Sequence, residues 1–236
     1  MPAFVQVRLP IWRRIRFVDF EKTQVTDMEL EHLQGLTSIE VLTLPGTLVT
    51  DAGLEHLKGL TSLRKLDLGY THITDTGLKH LKGLTKLLAL SIGFTEVTSS
   101  GLNQLEGLTN LIELHLGGSK ISDEGLEHLI GLESLNTLGL RNLAITDAGL
   151  EHLKGMTRLG VLNLSQTQVT DVGLEHLKGL SLEFLDLSQT QVTDAGLEHL
   201  KDSTRLRFLN LKATQTTDEG RAMLRKALPK WKPQTP

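Results

Sequence analysis

Residues 159–182 read LGVLNLSQTQVTDVGLEHLKGLSL, and most of the chain is this stretch over again. Aligned on the triplet (V/I)-T-D, Val25, Val49, Ile73, Val97, Ile121, Ile145 and Val169 recur every 24 residues, with Val192 after 23 and Thr216 after 24. A fixed period of this length marks a stacked array, in which one supersecondary unit buries its apolar face only against the next copy. Such an array grows along one axis, so the 236 residues are read as a single domain. Within it, 1–14 is expected to be an N-terminal cap, 15–216 the repeats, and 217–236 a C-terminal capping helix and tail.

Each unit opens with L-x-x-L-x-L, as in Leu63, Leu66 and Leu68, and the alternation at its end has the period of a strand with one buried face. Nine such units fall at 15–20, 39–44, 63–68, 87–92, 111–116, 135–140, 159–164, 182–187 and 206–211. Each is followed by a return segment and then the same strand, so the strands must stack in parallel, about 4.8 Å apart.

A turn ending in Thr, such as Thr71, Thr95 or Thr167, comes next, where a hydroxyl can satisfy the backbone of a tight bend. Leu143 breaks this row, and a substitute hydrogen bond, from Asn142 or a water, is expected there. Thr50 and Asp51 are both helix-capping residues ahead of Leu54, Leu57 and Leu60 at helical spacing. Lys58 and Gly59 predict a left-handed helix stop, with Leu60 folding back in a Schellman ending. The return segments are thus read as short helices of about two turns.

The ends depart from the pattern. Phe4, Val5, Val7 and Trp12 are expected to cover the first turn. Residues 217–228 read as a longer, more basic helix, and 229–236, with three prolines and Trp231, as a loosely ordered tail. One residue is missing around Gly179, Leu180 and Ser181, which predicts a tighter loop and a slight kink in the stack.

With 39% hydrophobic residues but one Tyr, two Trp and six Phe, the core must be aliphatic and dominated by leucine. A formal net charge of −3 gives no basic field for a nucleic-acid or anionic-membrane partner. No run of 18 apolar residues exists, and residues 1–10 lack the apolar core of a secretory signal. Neither a membrane span nor export is expected, and the cytoplasm is the expected location. Cysteine is absent, which excludes disulfides and thiol catalysis.

The motif L-x-x-L-x-L-x-x-T-x-(V/I)-T-D-x-G-L-x-x-L resembles the leucine-rich-repeat superfamily, specifically its ribonuclease-inhibitor-like type, and is similar to bacterial arrays built on VTDAGLEHLKGL. The resemblance covers residues 15 to about 228. It implies an α/β fold: a right-handed leucine-rich-repeat solenoid, or horseshoe, with a concave parallel sheet and short convex helices. It also implies a protein-binding surface, without naming a partner. Where many members of the superfamily carry Asn, this chain has Thr or Ser in eight turns and Leu143 in one.

No catalytic motif is present: there is no G-x-x-x-x-G-K-(S/T), no H-E-x-x-H and no G-x-S-x-G. No catalytic residue, cofactor or metal is expected. His32, His56, His80, His128, His152, His176 and His199 share one repeat position; the ladder offers one ligand per turn, where a transition-metal site needs three or four that converge. It is read as a partly solvated helix face. Asn163-Leu164-Ser165 matches a glycosylation acceptor by chance, since Leu164 is a core position. Arg13, Arg14 and Arg16 read as a solubility device.

The informative positions flank the second core leucine and point to the concave face. The residues before it are Phe17, Val41, Lys65, Ala89, Glu113, Thr137, Val161, Phe184 and Phe208. Those after it are Asp19, Thr43, Asp67, Ser91, His115, Gly139, Asn163, Asp186 and Asn210. The second residue past each strand gives Lys22, Gly46, Tyr70, Phe94, Gly118, Asn142, Gln166, Gln189 and Ala213. These rows vary while the core rows do not, and adjacent exposed aromatics are what interface anchors are made of. The predicted ligand-binding residues are Lys65, Asp67, Tyr70, Ser91, Phe94, Glu113, His115, Arg141 and Asn142, with Leu88 and Ile112 as an apolar edge. The return segment at 99–107 lacks the capping Asp and the His and Lys of its neighbours, which predicts a weaker helix there.

The sequence reads as a non-catalytic scaffold for a protein or peptide, expected to be a monomer with no nucleic-acid or membrane partner. The alternatives are a structural spacer or self-assembly module without a ligand of its own, and a glycan-binding surface.

Overall fold

The computed structural model describes residues 15–231; the expected N-terminal cap, with Phe4, Val5, Val7, Trp12, Arg13 and Arg14, lies outside the described residues. Among the described residues nine three-residue strands form one parallel sheet in chain order: β1 Phe17–Asp19, β2 Val41–Thr43, β3 Lys65–Asp67, β4 Ala89–Ser91, β5 Glu113–His115, β6 Thr137–Gly139, β7 Val161–Asn163, β8 Phe184–Asp186 and β9 Phe208–Asn210. Register is set by the central residue of each strand: Leu42 pairs with Leu66, Leu66 with Leu90 and Leu90 with Leu114. A slip by one residue would turn the whole leucine row to solvent, so the period-2 pattern fixes the pairing.

The leucines that flank and follow these strands, with Val49, Ile73, Val97, Ile121, Ile145, Val169 and Val192, make one continuous aliphatic core. Thr47, Thr71, Thr95, Thr167 and Thr190 are buried at the bend, and each hydroxyl donates to the carbonyl three residues earlier at 2.6–2.7 Å. Ser119 reaches instead into the preceding turn, donating to the Ile92 carbonyl at 2.8 Å. At Leu143 the expected substitute bond does not come from Asn142; the side chain is buried and simply extends the apolar core.

Thr caps the return segments, and Asp ties them together. In the second turn Thr50 is the N-cap of the helix Asp51–Leu54, which tightens into the 3-10 segment Glu55–Leu57. Asp51 is not the cap. It occupies the first helical position and accepts from the Thr74 backbone N–H at 2.7 Å and the Thr74 hydroxyl at 2.6 Å, one turn further on. Asp27, Asp75, Asp123, Asp147, Asp171 and Asp194 grip Thr50, Thr98, Thr146, Thr170, Thr193 and Thr217 in the same two-pronged way. Each carboxylate therefore satisfies a backbone donor that its neighbour's helix start would otherwise leave unpaired.

The same carboxylates explain the glycine of D-x-G-L. A Cβ at Gly53, Gly77, Gly101, Gly149, Gly173, Gly196 or Gly220 would sit 2.1–2.4 Å from the Asp Oδ1 of the preceding turn. The first turn carries Glu29 at this position. Glu29 closes a capping box with Thr26. In the fourth turn Ser99 stands where Asp would be, and its one Oγ accepts from the Ser122 N–H at 3.0 Å and meets the Ser122 Oγ at 3.0 Å, a neutral oxygen in place of the two of a carboxylate. That return segment, Ser99–Leu105, is 3-10 throughout, in line with the weaker helix its sequence predicts.

The left-handed stop predicted at Gly59 is not formed. Among the glycines of that row described here, only Gly35 and Gly179 take positive φ, at 80° and 84°. They follow Asp27–Glu31 and Asp171–Glu175, the two return helices that stay α and have no 3-10 continuation. Elsewhere tightening to i→i+3 bonds, such as Leu60 N–H to the Leu57 carbonyl at 2.9 Å, satisfies the last carbonyls and the chain leaves without a left-handed residue. The missing residue after Gly179 is absorbed in its loop: strand register passes unbroken from Val161 to Phe184.

After the last strand the helix Asp218–Ala227 follows, and Leu224, Leu228 and Trp231 join the core. Trp231 is not in a loose tail. It is 3% exposed, and its indole N–H donates to the Leu209 carbonyl of β9 at 3.3 Å. Hydrogen bonds from the Thr217 hydroxyl and then the Thr217 N–H, with Arg221 nearby, hold the Asp194 carboxyl below its ordinary pKa.

Candidate functional site

The residues on either side of each central leucine face outward from the sheet, and the chain then leaves the strand through two further residues into a left-handed one. Every member of that last row is left-handed: Lys22, Tyr70, Phe94, Asn142, Gln166, Gln189 and Ala213 have φ between 54° and 61°, and Gly46 and Gly118 have 69° and 75°. A backbone ladder accompanies the conformation. The N–H of each of these residues but Ala213, in the last turn, donates to a carbonyl of the next turn, Tyr70 to Gly93 at 2.9 Å and Phe94 to Gly117 at 2.8 Å. Gly, Asn and Asp tolerate this region; an aromatic side chain there is an outlier costing roughly 1–2 kcal/mol. Such strain is a pointer to function.

Tyr70 and Phe94 stack face to face, with ring centroids 4.5 Å apart and planes inclined by 6°. They remain 63% and 41% exposed. Phe94 lies against the bare backbone of Gly118, where a Cβ would meet the ring at 2.5 Å. Beside the pair runs a floor of three successive glycines: a Cβ on Gly93 would be 2.9 Å from the Gly117 carbonyl, and one on Gly117 2.8 Å from the Arg141 carbonyl. The result is an open cleft of about 270 Å³.

Of the residues predicted from sequence, Asp67, Tyr70, Ser91, Phe94, His115 and Arg141 line this cleft. Lys65 and Glu113 lie on the other side of the central leucines, exposed on β3 and β5. Asn142 is one residue beyond Arg141 in the left-handed row. Leu88 is half-buried at the strand entrance and Ile112 is exposed. Sequence reasoning missed Pro45, Gly69, Gly93, Gly117, Gly139 and Asn163 as lining residues. The signal was available, since Gly69, Gly93 and Gly117 follow one another at the period just ahead of the aromatic row. Gly139 matters by its smallness: His115 Nδ1 lies 2.8 Å from where its Cβ would be.

Polar groups are held at both ends. Asp67 Oδ1 accepts from the Gly69 N–H at 3.0 Å. Arg141 Nε donates to Gln166 Oε1 at 3.1 Å, and Gln166 Nε2 donates to Gln189 Oε1 at 3.1 Å, continuing the row as a side-chain ladder beside a smaller polar hollow. Asn163 Oδ1 accepts from the Ser165 N–H and hydroxyl at 2.9 and 2.7 Å, engaged in its own turn.

A second aromatic pair also went unread. Phe184 and Phe208, in adjacent strands, stack with centroids 4.2 Å apart and planes inclined by 3°, both half-buried.

On the helix side His56, His80, His128, His152, His176 and His199 are half-buried and His32 is exposed. His56 Nδ1 meets Gln34 Nε2 at 2.5 Å, and His128 Nδ1 meets Glu106 Oε1 at 2.8 Å. Among the described residues no three His, Asp or Glu side chains are grouped as metal ligands would be. No described helix is long and apolar enough to cross a membrane. Arg16 pairs with Glu40 at 3.4 Å at the exposed start of the sheet.

A family model described as Leucine Rich repeat matches residues 59–82, 107–129 and 180–201. No curated protein matches the chain significantly. Among solved structures, internalin C2 from Listeria monocytogenes is similar over 81% of this chain and 78% of its own, at 25% identity and a TM-score of 0.63. With nine in-register parallel strands, one leucine core and a return segment after each strand, the chain folds as a leucine-rich-repeat solenoid.

Proposed function

We propose that this solenoid is a non-catalytic scaffold that binds a protein or peptide across the outward face of its sheet, centred on the cleft beside Tyr70 and Phe94. One observation carries the reading: two large aromatic residues stand exposed in a left-handed conformation that glycine would adopt without strain. Asp67, Ser91, His115 and Arg141 supply charge and hydrogen bonds in the same cleft, with Lys65, Glu113 and Asn142 as its rim. The likeness to an internalin supports a protein as the partner. The short convex helices support the ribonuclease-inhibitor-like type, and residues 1–14 and 217–236 are assigned as the two caps of one monomeric, cytoplasmic domain.

Affinity capture with the wild-type chain beside a Tyr70→Ala, Arg141→Ala double variant tests the site, followed by calorimetry on what is captured. A partner retained by the wild type and lost by the folded variant supports it; equal affinity for both overturns it.

A further inference from the structure

The left-handed row is occupied unevenly along the solenoid. Phe94 is covered on one side by Tyr70 and on the other by Gly118. Tyr70 is covered on one side only. Beyond its other face the row continues with Gly46, where a Cβ would meet nothing nearer than Lys22 Cγ at 4.0 Å. One place in the ladder therefore carries no side chain: a slot bounded by Tyr70, the Gly46 backbone, Lys22 on the far side and Pro45, which lines the cleft at that end.

We propose that this slot takes an aromatic side chain from an extended peptide segment, stacked on Tyr70 as the third ring of the ladder, and that an acidic residue of the same segment is held by Arg141. This rests on the reading of the cleft as the binding site and names the chemistry it selects. The slot is one step of the period from Tyr70, and Tyr70 and Phe94 already stack at that step, so a flat ring laid on the free face meets the same geometry. Among the described residues Arg141 makes one side-chain bond, from Nε to Gln166, and its terminal nitrogens face no carboxylate. His115 lies between the two ends. Arg141 is four turns from Gly46, about 19 Å at ~4.8 Å per turn, which an extended peptide covers in about six residues at ~3.3 Å each. The glycine floor between them lets a main chain approach closely. A fixed cation at that distance from the slot suits a charged peptide better than a neutral sugar.

Tyr70 is the one tyrosine of the chain, so 3-fluorotyrosine labelling gives a single fluorine resonance at the site. The probe is an acetylated, amidated peptide with Trp and Glu separated by five glycine and serine residues. Its Trp→Leu and Glu→Gln analogues and methyl β-glucoside serve as comparisons. Titration is expected to move the resonance with the Trp peptide and much less with the Leu analogue. Gly46→Gln fills the slot with a side chain that Gln166 and Gln189 already carry in the same conformation, so the fold is kept, and a thermal melt checks it. It should weaken the peptide at least roughly tenfold, as losing a central aromatic anchor does. Arg141→Ala should weaken the Glu peptide by about tenfold and leave the Gln analogue unchanged.

No movement of the resonance up to the peptide's solubility limit, or equal affinity for wild type and Gly46→Gln, overturns the slot. So does a larger response to the glucoside, which would make the surface a glycan site. A captured partner that depends on Tyr70 but ignores Gly46→Gln removes the slot and leaves the wider cleft standing.

Discussion

Two phenylalanines and a tyrosine-phenylalanine pair do the same thing at opposite ends of one sheet, at different cost. Phe184 and Phe208 stack in the strand row, half-buried, with extended backbone that aromatic residues favour. Tyr70 and Phe94 stack at the strand edge, largely exposed, in backbone that aromatic residues avoid. The repeat spacing alone creates both stacks. The first therefore adds to packing, whereas the second spends stability on presenting its rings to solvent, which separates a structural aromatic from a functional one.

The sharpest break of this contrast is a pair of truncations. Phe184→Ala should lower unfolding free energy by about 2 kcal/mol and leave partner affinity unchanged. Tyr70→Ala should do the reverse, weakening binding by about 1–3 kcal/mol with little change in denaturant midpoint. Equal effects of both on both readouts would erase the distinction. Next in size, Tyr70→Asn places a residue that tolerates the left-handed region and should raise stability by about 0.5–1 kcal/mol while binding is lost. A fall in melting temperature would show that the stack, not the backbone, dominates there.

The ends respond to acid in a direction the carboxylates dictate. Asp194, held low by Thr217, and Glu29, held low by the Thr26 hydroxyl and N–H, have folded pKa values below their unfolded ones. Their stabilisation is complete above the ordinary carboxylate range and is lost as pH falls through the lowered values. Amide protection factors in residues 217–228, which correct for the intrinsic slowing of exchange in acid, should therefore fall on acidification; a flat profile would remove the Asp194 tie. Smallest of all, Gly59→Ala should be neutral or stabilising by about 0.5 kcal/mol, while Gly179→Ala, at φ +84°, should cost about 1 kcal/mol. Similar melts for the two would contradict the 3-10 account of the helix ends.

Much of this was legible in the sequence because alternation within a strand and recurrence between turns are both local patterns. The leucine rows, the outward rows and the weak return segment at Ser99 needed nothing more. What escaped depends on contact across one period. Asp51 looks like a cap until Thr74 of the next turn is placed against it. The glycines of D-x-G-L look like loose helix residues until the preceding carboxylate fills the space a Cβ would need. Gly59 misled because its row is written identically in turns whose helices end differently, and Trp231 because proline-rich surroundings hid a buried indole. The cleft was half visible: its side chains stand out by size, its glycine floor only by what is missing.

The two-pronged carboxylate joint makes each turn fasten its successor, and the chain has one described joint, between Ser99 and Ser122, where a single hydroxyl does that work. The same seam is crossed by Ser119, donating to the Ile92 carbonyl at 2.8 Å, and by Lys120 paired with Glu96 at 3.4 Å, so four turns bearing the aromatic pair are joined to five without it by neutral and exposed bonds in place of a buried carboxylate grip. A partner gripping both Tyr70 and Arg141 would span that seam, and so bind as a splint across the one described joint that lacks a carboxylate.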